Sequence, residues 1–206
     1  MSADIAEPAE PAEATETPEA SSEASRTSGG ATTGHRSHAD PSGGHPLPQL
    51  RRSHWCSLDG SWDFAYDDAE TGLDRDWPSR GVGERTITVP LPPESGLSGI
   101  GETGYHPVVW YSRAITADEL ARAGRPTQGE RVLLHFGAVD YRASVWIDGR
   151  LVGEHEGGHV PFALDITRAL PGDGEDALLV VRAEDRPLDA GQPRGKQDWQ
   201  SEPHDI

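Results

Sequence analysis

Cysteine and long apolar runs are both scarce in this sequence. Cys56 is the only cysteine among 206 residues, which excludes an internal disulfide and a metal site built from several cysteines. No stretch approaches the roughly eighteen consecutive apolar residues of a membrane-spanning helix. The first thirty residues also lack the apolar run of a secretory signal. The sequence therefore predicts a chain located in the reducing cytoplasm.

Basic residues are few compared with acidic ones. The chain has 18 Lys and Arg residues against 35 Asp and Glu residues, which gives a formal net charge of −17 at pH 7. Proteins that bind nucleic acids contact phosphates through clusters of Lys and Arg. The acidic excess argues against a nucleic-acid partner.

The first 44 residues contain no Val, Leu, Phe, Trp, Tyr or Cys. They repeat Ala, Glu, Pro, Ser, Thr and Gly, as in "AEPAEPAEATETPEASSEAS". Such a segment cannot bury enough apolar surface to offset the conformational entropy lost on ordering. The composition predicts a disordered acidic tail over residues 1–44 and a folded domain over residues 45–206.

Short apolar runs separated by Gly, Pro and Asp fill the rest of the chain. They have the length of strands and are rich in β-branched and aromatic residues. Asp148-Gly149 is a strong hairpin signal between two of them, because the turn needs positive φ. Thr116 and Glu119 have the spacing of a capping box, and Gly124 follows as a C-terminal signal for one short helix. The predicted strands are 61–66, 85–90, 108–115, 131–136, 142–147, 150–155, 162–166 and 177–184.

About eight strands and little helix predict an all-β fold with two packed sheets. A doubly wound α/β fold would need long helices between the strands, and the sequence shows none. The folded part is long enough to bury a core of ordinary size, so it needs no disulfide or metal to stabilise it.

The segment "EHEGGHVPF" (154–162) brings two histidines and two glutamates close together. His155 and His159 have the i, i+4 spacing that places two metal ligands on one face of a helix. Gly157 and Gly158 between them, with Pro161 after them, strongly disfavour a helix. In an extended or turning chain that spacing no longer brings the imidazoles together, so the sequence argues against a metal site.

Glu154 and Glu156 raise the question of a catalytic acid pair. On a strand they point to the same face, about 7 Å apart. Inverting glycosidases hold their carboxyls roughly 6.5–9.5 Å apart, so the distance alone does not exclude catalysis. A catalytic pair must, however, flank a bond in a concave site, and neighbours on one strand face usually meet solvent. The interpretation favoured is a Gly-Gly turn at the end of a hairpin.

The six tryptophans are candidates for sugar-stacking platforms. Trp62, Trp110 and Trp146 lie inside predicted strands and are expected in the core. Trp55 and Trp77 lie near strand ends.

Trp199 lies in the polar loop "GKQDWQSEPHDI", where it could stack on a sugar ring. Asp198 and Asp205 in the same loop could accept hydrogen bonds from sugar hydroxyls, or they could be solvated loop acids.

A serine hydrolase is not indicated, because no G-x-S-x-G motif occurs. Cys56 is expected to be a packed residue and not a nucleophile.

Four segments in order resemble glycoside hydrolase family 2, the group of β-galactosidases and β-glucuronidases. They are "HPLPQLRRSHWCSLDGSWDFAYDD" (45–68), "VPLPPESGLSGIG" with the following "VVWYSRAI", "LLHFGAVDYRASVWIDGRLVGEHEGGHVPFALDIT" (133–167) and "RGKQDWQSEPHDI". The third is the most specific, and together they span residues 45–206.

The resemblance implies a jelly-roll sandwich similar to galactose-binding domains, with the Gly-Gly segment as a turn. It also implies that the catalytic glutamates of the retaining mechanism lie in a later (β/α) barrel, beyond an immunoglobulin-like domain. No organic cofactor is implied. The family's first domain lends loop residues to the substrate pocket, and Asp205 is the nearest positional match, with Asp198 a poorer one. The expected pattern continues past Ile206, so the resemblance implies a C-terminally truncated chain.

The leading hypothesis is a non-catalytic N-terminal domain of a retaining β-glycosidase that supports the catalytic barrel. It implies a terminal β-linked sugar as the parent enzyme's substrate. The alternative is a stand-alone carbohydrate-binding module without hydrolase activity. A third option is a non-functional remnant, which would expose apolar surface where the barrel docks.

Overall fold

A computed structural model describes residues 3–7 and 52–193, except residues 125, 127–128 and 187. Nine strands and two short helices lie in these ranges, with a single 3-10 turn at Gly96–Ser98. The strands are β1 (Ala3–Glu7), β2 (Gly60–Tyr66), β3 (Arg85–Val89), β4 (Val108–Ile115), β5 (Arg131–Phe136), β6 (Arg142–Ile147), β7 (Arg150–Glu156), β8 (Phe162–Asp165) and β9 (Ala177–Glu184); the helices are α1 (Trp77–Arg80) and α2 (Ala117–Ala123).

The strands form two sheets in which every neighbouring pair is antiparallel. The larger sheet has the order β3-β2-β4-β9-β6-β7, and the smaller one has the order β1-β5-β8. The prediction of an all-β sandwich is confirmed. All eight strands expected from the sequence are present, four with the predicted bounds and four with one end shifted by a single residue.

The main core lies between the two sheets. Alternate residues of β2, β3, β4, β6 and β9 point toward it from the larger sheet, as period-two alternation requires. β5 contributes its own alternate residues from the smaller sheet. The largest fully buried side chains of this core are Leu58, Trp62, Phe64, Ile87, Ile115, Leu120, Leu134, Phe136, Ile147 and Ile166.

The larger sheet is also covered on its second face. Trp110 and Trp146 project from that face, and Trp77 at the start of α1 packs over them. Central strands buried on both faces need continuous apolar runs, which explains why "VVWY" and "ALLVV" do not alternate. This second cluster was not predicted from the sequence, and neither was α1.

Two local predictions are confirmed in detail. Asp148 and Gly149 both have positive φ, 47° and 79°, and connect β6 to β7. The side chain of Thr116 accepts a hydrogen bond from the backbone N–H of Glu119, and the Glu119 carboxylate accepts one in return from the Thr116 backbone. This capping box begins α2, which ends before Gly124.

The first residues differ from the sequence prediction. Ala3–Glu7 forms strand β1 and pairs with β5, whereas the composition of residues 1–44 predicts disorder. The pairing provides hydrogen-bond partners for the backbone groups along one edge of β5, and these bonds stabilise the extended conformation of Ala3–Glu7. The rest of the predicted tail and the predicted domain boundary at residue 45 lie outside the described residues. Among the described helices, none combines the length and the apolar character needed to cross a membrane.

Candidate functional site

The residues predicted to contact substrate, Asp198, Trp199 and Asp205, lie outside the described residues. The structure therefore does not test their assignment. The described part of the chain does contain the strand that precedes them, β9, and the rim of the sandwich where β9 ends.

A network of charged side chains holds the end of β9. Glu184 accepts hydrogen bonds from Arg182 and Arg186, both at 2.6 Å, and Arg186 also donates to Glu70 at 2.7 Å. Burial alone would raise the pKa of Glu184, but the hydrogen bonds and charges of Arg186 and Arg182 outweigh it and hold that pKa below its usual value. Glu184 is therefore an ionised structural residue.

Asp140 lies at the same rim. Its carboxylate occupies the space beside Gly158, so a side chain at position 158 would collide with it. Partial burial raises the pKa of Asp140, the negative charge of Asp185 raises it further, and His159 opposes the rise. These side chains form an acidic rim close to the point where the chain leaves β9.

The two glutamates of the "EHEGGH" segment lie on strand β7 and pair with its neighbour β6. Glu154 accepts a hydrogen bond from the Ser144 hydroxyl at 2.9 Å. Glu156 accepts one from the Tyr141 hydroxyl at 3.1 Å and one from Arg142 at 3.2 Å. β7 ends at Glu156, and the turn that follows includes the second glycine of the pair. Both carboxylates therefore serve cross-strand pairing at the sheet edge.

His155 belongs to a stack of aromatic rings between the sheets. Its ring is parallel to that of Phe162 at a centroid distance of 4.2 Å, and Phe162 stacks on Phe136 at 4.7 Å. The buried Nε2 atom of His155 has no hydrogen-bond partner in the described part of the chain. Within that same part, no three His, Cys, Asp or Glu side chains are grouped so that they could hold a metal ion.

The unpartnered nitrogen of His155 gives a testable expectation. His155→Phe keeps the stack on Phe162 and removes a buried polar atom, which should stabilise the domain by about 1 kcal/mol. Thermal unfolding should show a Tm about 2–4 °C higher.

His106 provides the matched control. It also stacks on an aromatic ring, that of Tyr66, but its Nδ1 is hydrogen-bonded to Asp68 at 2.9 Å. His106→Phe should therefore bring no gain. A Tm for His155→Phe below that of the wild type would contradict the role assigned to the unpartnered atom.

The described tryptophans are structural. Trp62, Trp110 and Trp146 are buried, as the strand pattern predicts, and Trp77 is buried as well. Trp55 is half-buried. None of these five side chains forms an exposed platform for a sugar ring, and Trp199 lies beyond the described residues.

Asp67 is a buried carboxylate whose role was not predicted from the sequence. It is 4% exposed and accepts three hydrogen bonds, from the backbone N–H groups of Thr71 and Gly72 at 2.7 and 2.9 Å and from the Trp110 indole at 2.8 Å. The signal in the sequence is the string "YDDAETG", in which an aspartate at the end of a strand precedes a polar turn. This aspartate fixes the loop that covers the tryptophan cluster.

A cavity of about 520 Å³ opens between the edge of the larger sheet and the smaller sheet. The start of β5, the start of β7 and the turn after β8 surround it. No pattern in the sequence predicted this cavity, although two of the predicted strands, "RVLLHF" and "RLVGEH", begin with arginine. Its lining residues are Gly129, Glu130, Arg131, Arg150, Leu151, Val152, Asp165, Thr167, Arg168 and Ala169.

Comparison with known proteins relates this fold to glycosidases. The sequence profile described as "Glycosyl hydrolases family 2, sugar binding domain" matches residues 98–186. The β-glucuronidase of Canis lupus familiaris is 35% identical over 118 residues, which is 54% of this chain and 18% of that protein. The β-galactosidase of Thermoanaerobacter pseudethanolicus is 34% identical over 85 residues, which is 41% of this chain and 11% of that protein.

Among solved structures, the Lactobacillus rhamnosus β-glucuronidase superposes with a TM-score of 0.52 and 30% identity, over 62% of this chain and 20% of that one. This chain thus spans about a fifth of the β-glucuronidases that it matches. The two-sheet sandwich therefore resembles one part of these larger enzymes. Residues 98–186 belong to glycosyl hydrolases family 2, as its N-terminal sugar binding domain.

Proposed function

We propose that this domain works within a retaining β-glycosidase whose substrates are β-glucuronides. The observation that carries the proposal is the match to β-glucuronidases, which recurs in sequence and in structure. The contacts of Glu154 and Glu156 support it, because side chains used in cross-strand pairing are not poised as acid and base.

The domain would buttress a catalytic (β/α) barrel, reached through an immunoglobulin-like domain. It would also help to shape the substrate pocket. The carboxylate of Asp205 is the main candidate for a hydrogen bond to a substrate hydroxyl, followed by Asp198 and by stacking of Trp199. No organic cofactor takes part in this proposal.

The first test is an activity assay of the purified chain. We expect no turnover of nitrophenyl β-glucuronide, β-galactoside or β-mannoside, because the catalytic glutamates of the proposed enzyme lie in the barrel. The Lactobacillus rhamnosus β-glucuronidase, assayed with the glucuronide under the same conditions, is the positive control. Hydrolysis that disappears when Glu154, Glu156 or another acid of this chain is replaced would overturn the proposal.

The alternative function is that of a stand-alone carbohydrate-binding module. Such a module needs an exposed aromatic platform, and the five described tryptophans do not supply one. Trp199 is the remaining tryptophan, and it lies outside the described residues. Titration calorimetry with galactosides, glucuronides and oligosaccharides would support the module if it showed binding that Trp199→Ala abolishes.

A further inference from the structure

The cavity between the sheets is lined by three arginines in a strongly acidic protein. Arg131 lies at the start of β5, Arg150 at the start of β7 and Arg168 in the turn after β8. Asp165 and Glu130 also line the cavity, so its lining carries a formal charge of +1, whereas the whole chain carries −17. A positive cavity in such a chain favours an anionic ligand.

Two of these arginines retain unused donors. Arg150 donates from Nη1 to the backbone carbonyl of Arg168 at 2.9 Å, and neither guanidinium has an ion pair with a carboxylate within the described ranges. Arg131 lies 3.7 Å from Asp165. Guanidinium groups bind carboxylates through paired N–H donors. Arg150 and Arg168 can therefore bind the carboxylate of a ligand.

Asp165 is already engaged by its own turn. It accepts a hydrogen bond from the Thr167 backbone N–H at 3.0 Å. Hydrogen bonding from the Thr167 side chain lowers the pKa of Asp165, and burial opposes this change. The Thr167 backbone bond and the charges of Arg131 and Arg168 add to the lowering, so the pKa lies below its usual value. Asp165 therefore helps to hold the turn that carries Arg168 and leaves that arginine available.

The size and the remaining walls of the cavity fit a monosaccharide. Its volume falls within the range of roughly 300–1,000 Å³ that is usual for small-molecule sites. Leu151, which is 49% exposed, and Val152 provide an apolar wall for the C–H face of a sugar ring. Nearby, the Leu164 side chain of the smaller sheet packs against Gly153 of the larger sheet. A Cβ at position 153 would lie 2.5 Å from this leucine, so the two sheets are in close contact here.

We propose that this cavity is a binding site for a uronic acid, with Arg150 and Arg168 bound to its carboxylate. The carboxylate follows from the arginines, whereas the choice of a uronate among carboxylates rests on the proposed function. The site lies within the described domain and is separate from the loop of Asp198, Trp199 and Asp205 in the sequence.

Titration of the full chain with sodium glucuronate, followed by calorimetry or by amide chemical shifts at constant ionic strength, tests the proposal. We expect saturable binding that weakens at least about tenfold in the double variant Arg150→Gln/Arg168→Gln, because charge-assisted bonds are lost. Arg168→Gln alone should also weaken binding. It leaves the hydrogen bond from Arg150 to the backbone carbonyl of residue 168 in place, so this variant controls for folding. Arg75→Gln, at an exposed arginine 3.6 Å from Glu84, should bind as the wild type does.

Glucose and inorganic phosphate are the ligand controls. Neither should compete with glucuronate, since glucose lacks the carboxylate and phosphate lacks the ring. Absence of saturable binding, equal binding by the double variant, or equal binding of phosphate would overturn the proposal. These results are independent of the activity assay, in which failure of the proposed function would show as turnover by the isolated chain.

Discussion

Asp67→Ala is expected to lower the free energy of unfolding by at least about 3 kcal/mol. The substitution leaves three donors without their acceptor, namely the N–H groups of Thr71 and Gly72 and the indole N–H of Trp110. Each buried donor left unsatisfied costs about 1–3 kcal/mol. Such a loss is a large fraction of the total stability of a domain, which is about 5–15 kcal/mol. Urea unfolding followed by tryptophan fluorescence measures it.

The neighbouring residue is the matched control. Asp68 is 56% exposed and pairs with His106 at the surface, 2.9 Å away. Exposed pairs contribute about 0–1 kcal/mol, so Asp68→Ala should have little effect. Asp67→Asn should fall between the two, because the amide keeps one oxygen. Equal stability of the Asp67→Ala and Asp68→Ala variants would refute the role given to Asp67.

Gly72→Ala is expected to destabilise the described domain strongly. An added Cβ would lie 2.5 Å from the ring of Trp77 and 2.7 Å from the ring of Trp110. Both rings are buried and packed against each other at a centroid distance of 5.6 Å, so neither can move aside easily. Overpacking of this kind costs about 1–3 kcal/mol or more, and the shift would also disturb the Gly72 N–H bond to Asp67.

Gly83 offers the comparison. A Cβ there would meet nothing within 4 Å, and alanine restricts the unfolded chain more than glycine does. Gly83→Ala should therefore leave the stability unchanged or slightly higher. Thermal unfolding of both variants measures the difference in Tm. A Tm for Gly72→Ala equal to that of the wild type would show that the tryptophan cluster is loosely packed.

Local patterns predicted the elements of this fold well. The hairpin at Asp148-Gly149 and the capping box at Thr116 and Glu119 were predicted because each depends on a few adjacent residues. Alternation along "SWDFAY" places Trp62 and Phe64 in the main core, as the structure confirms. These features require only the conformational preferences of short segments.

Features that join distant segments were not predicted. The bond between Asp67 and Trp110 joins residues 43 positions apart, and the arginines of the cavity come from three separate elements. The pairing of β1 with β5 is likewise invisible in the composition of the first residues. Of the candidate site, the sequence identified Asp198, Trp199 and Asp205 from their polar loop, and the resemblance pointed again to the two aspartates. Their position in the fold stays a prediction.

The order of strands in the larger sheet has a consequence for how this domain folds. β4 and β9 are neighbours at the centre, and Val108 pairs with Glu184 while Ile115 pairs with Ala177. These partners are about 60–75 residues apart, so the central ladder closes a long loop. A chain emerging from the ribosome cannot complete this ladder until Ala177–Glu184 has been synthesised. Folding should therefore be slow, in the range of milliseconds to seconds that is typical of sandwiches rich in non-local pairings.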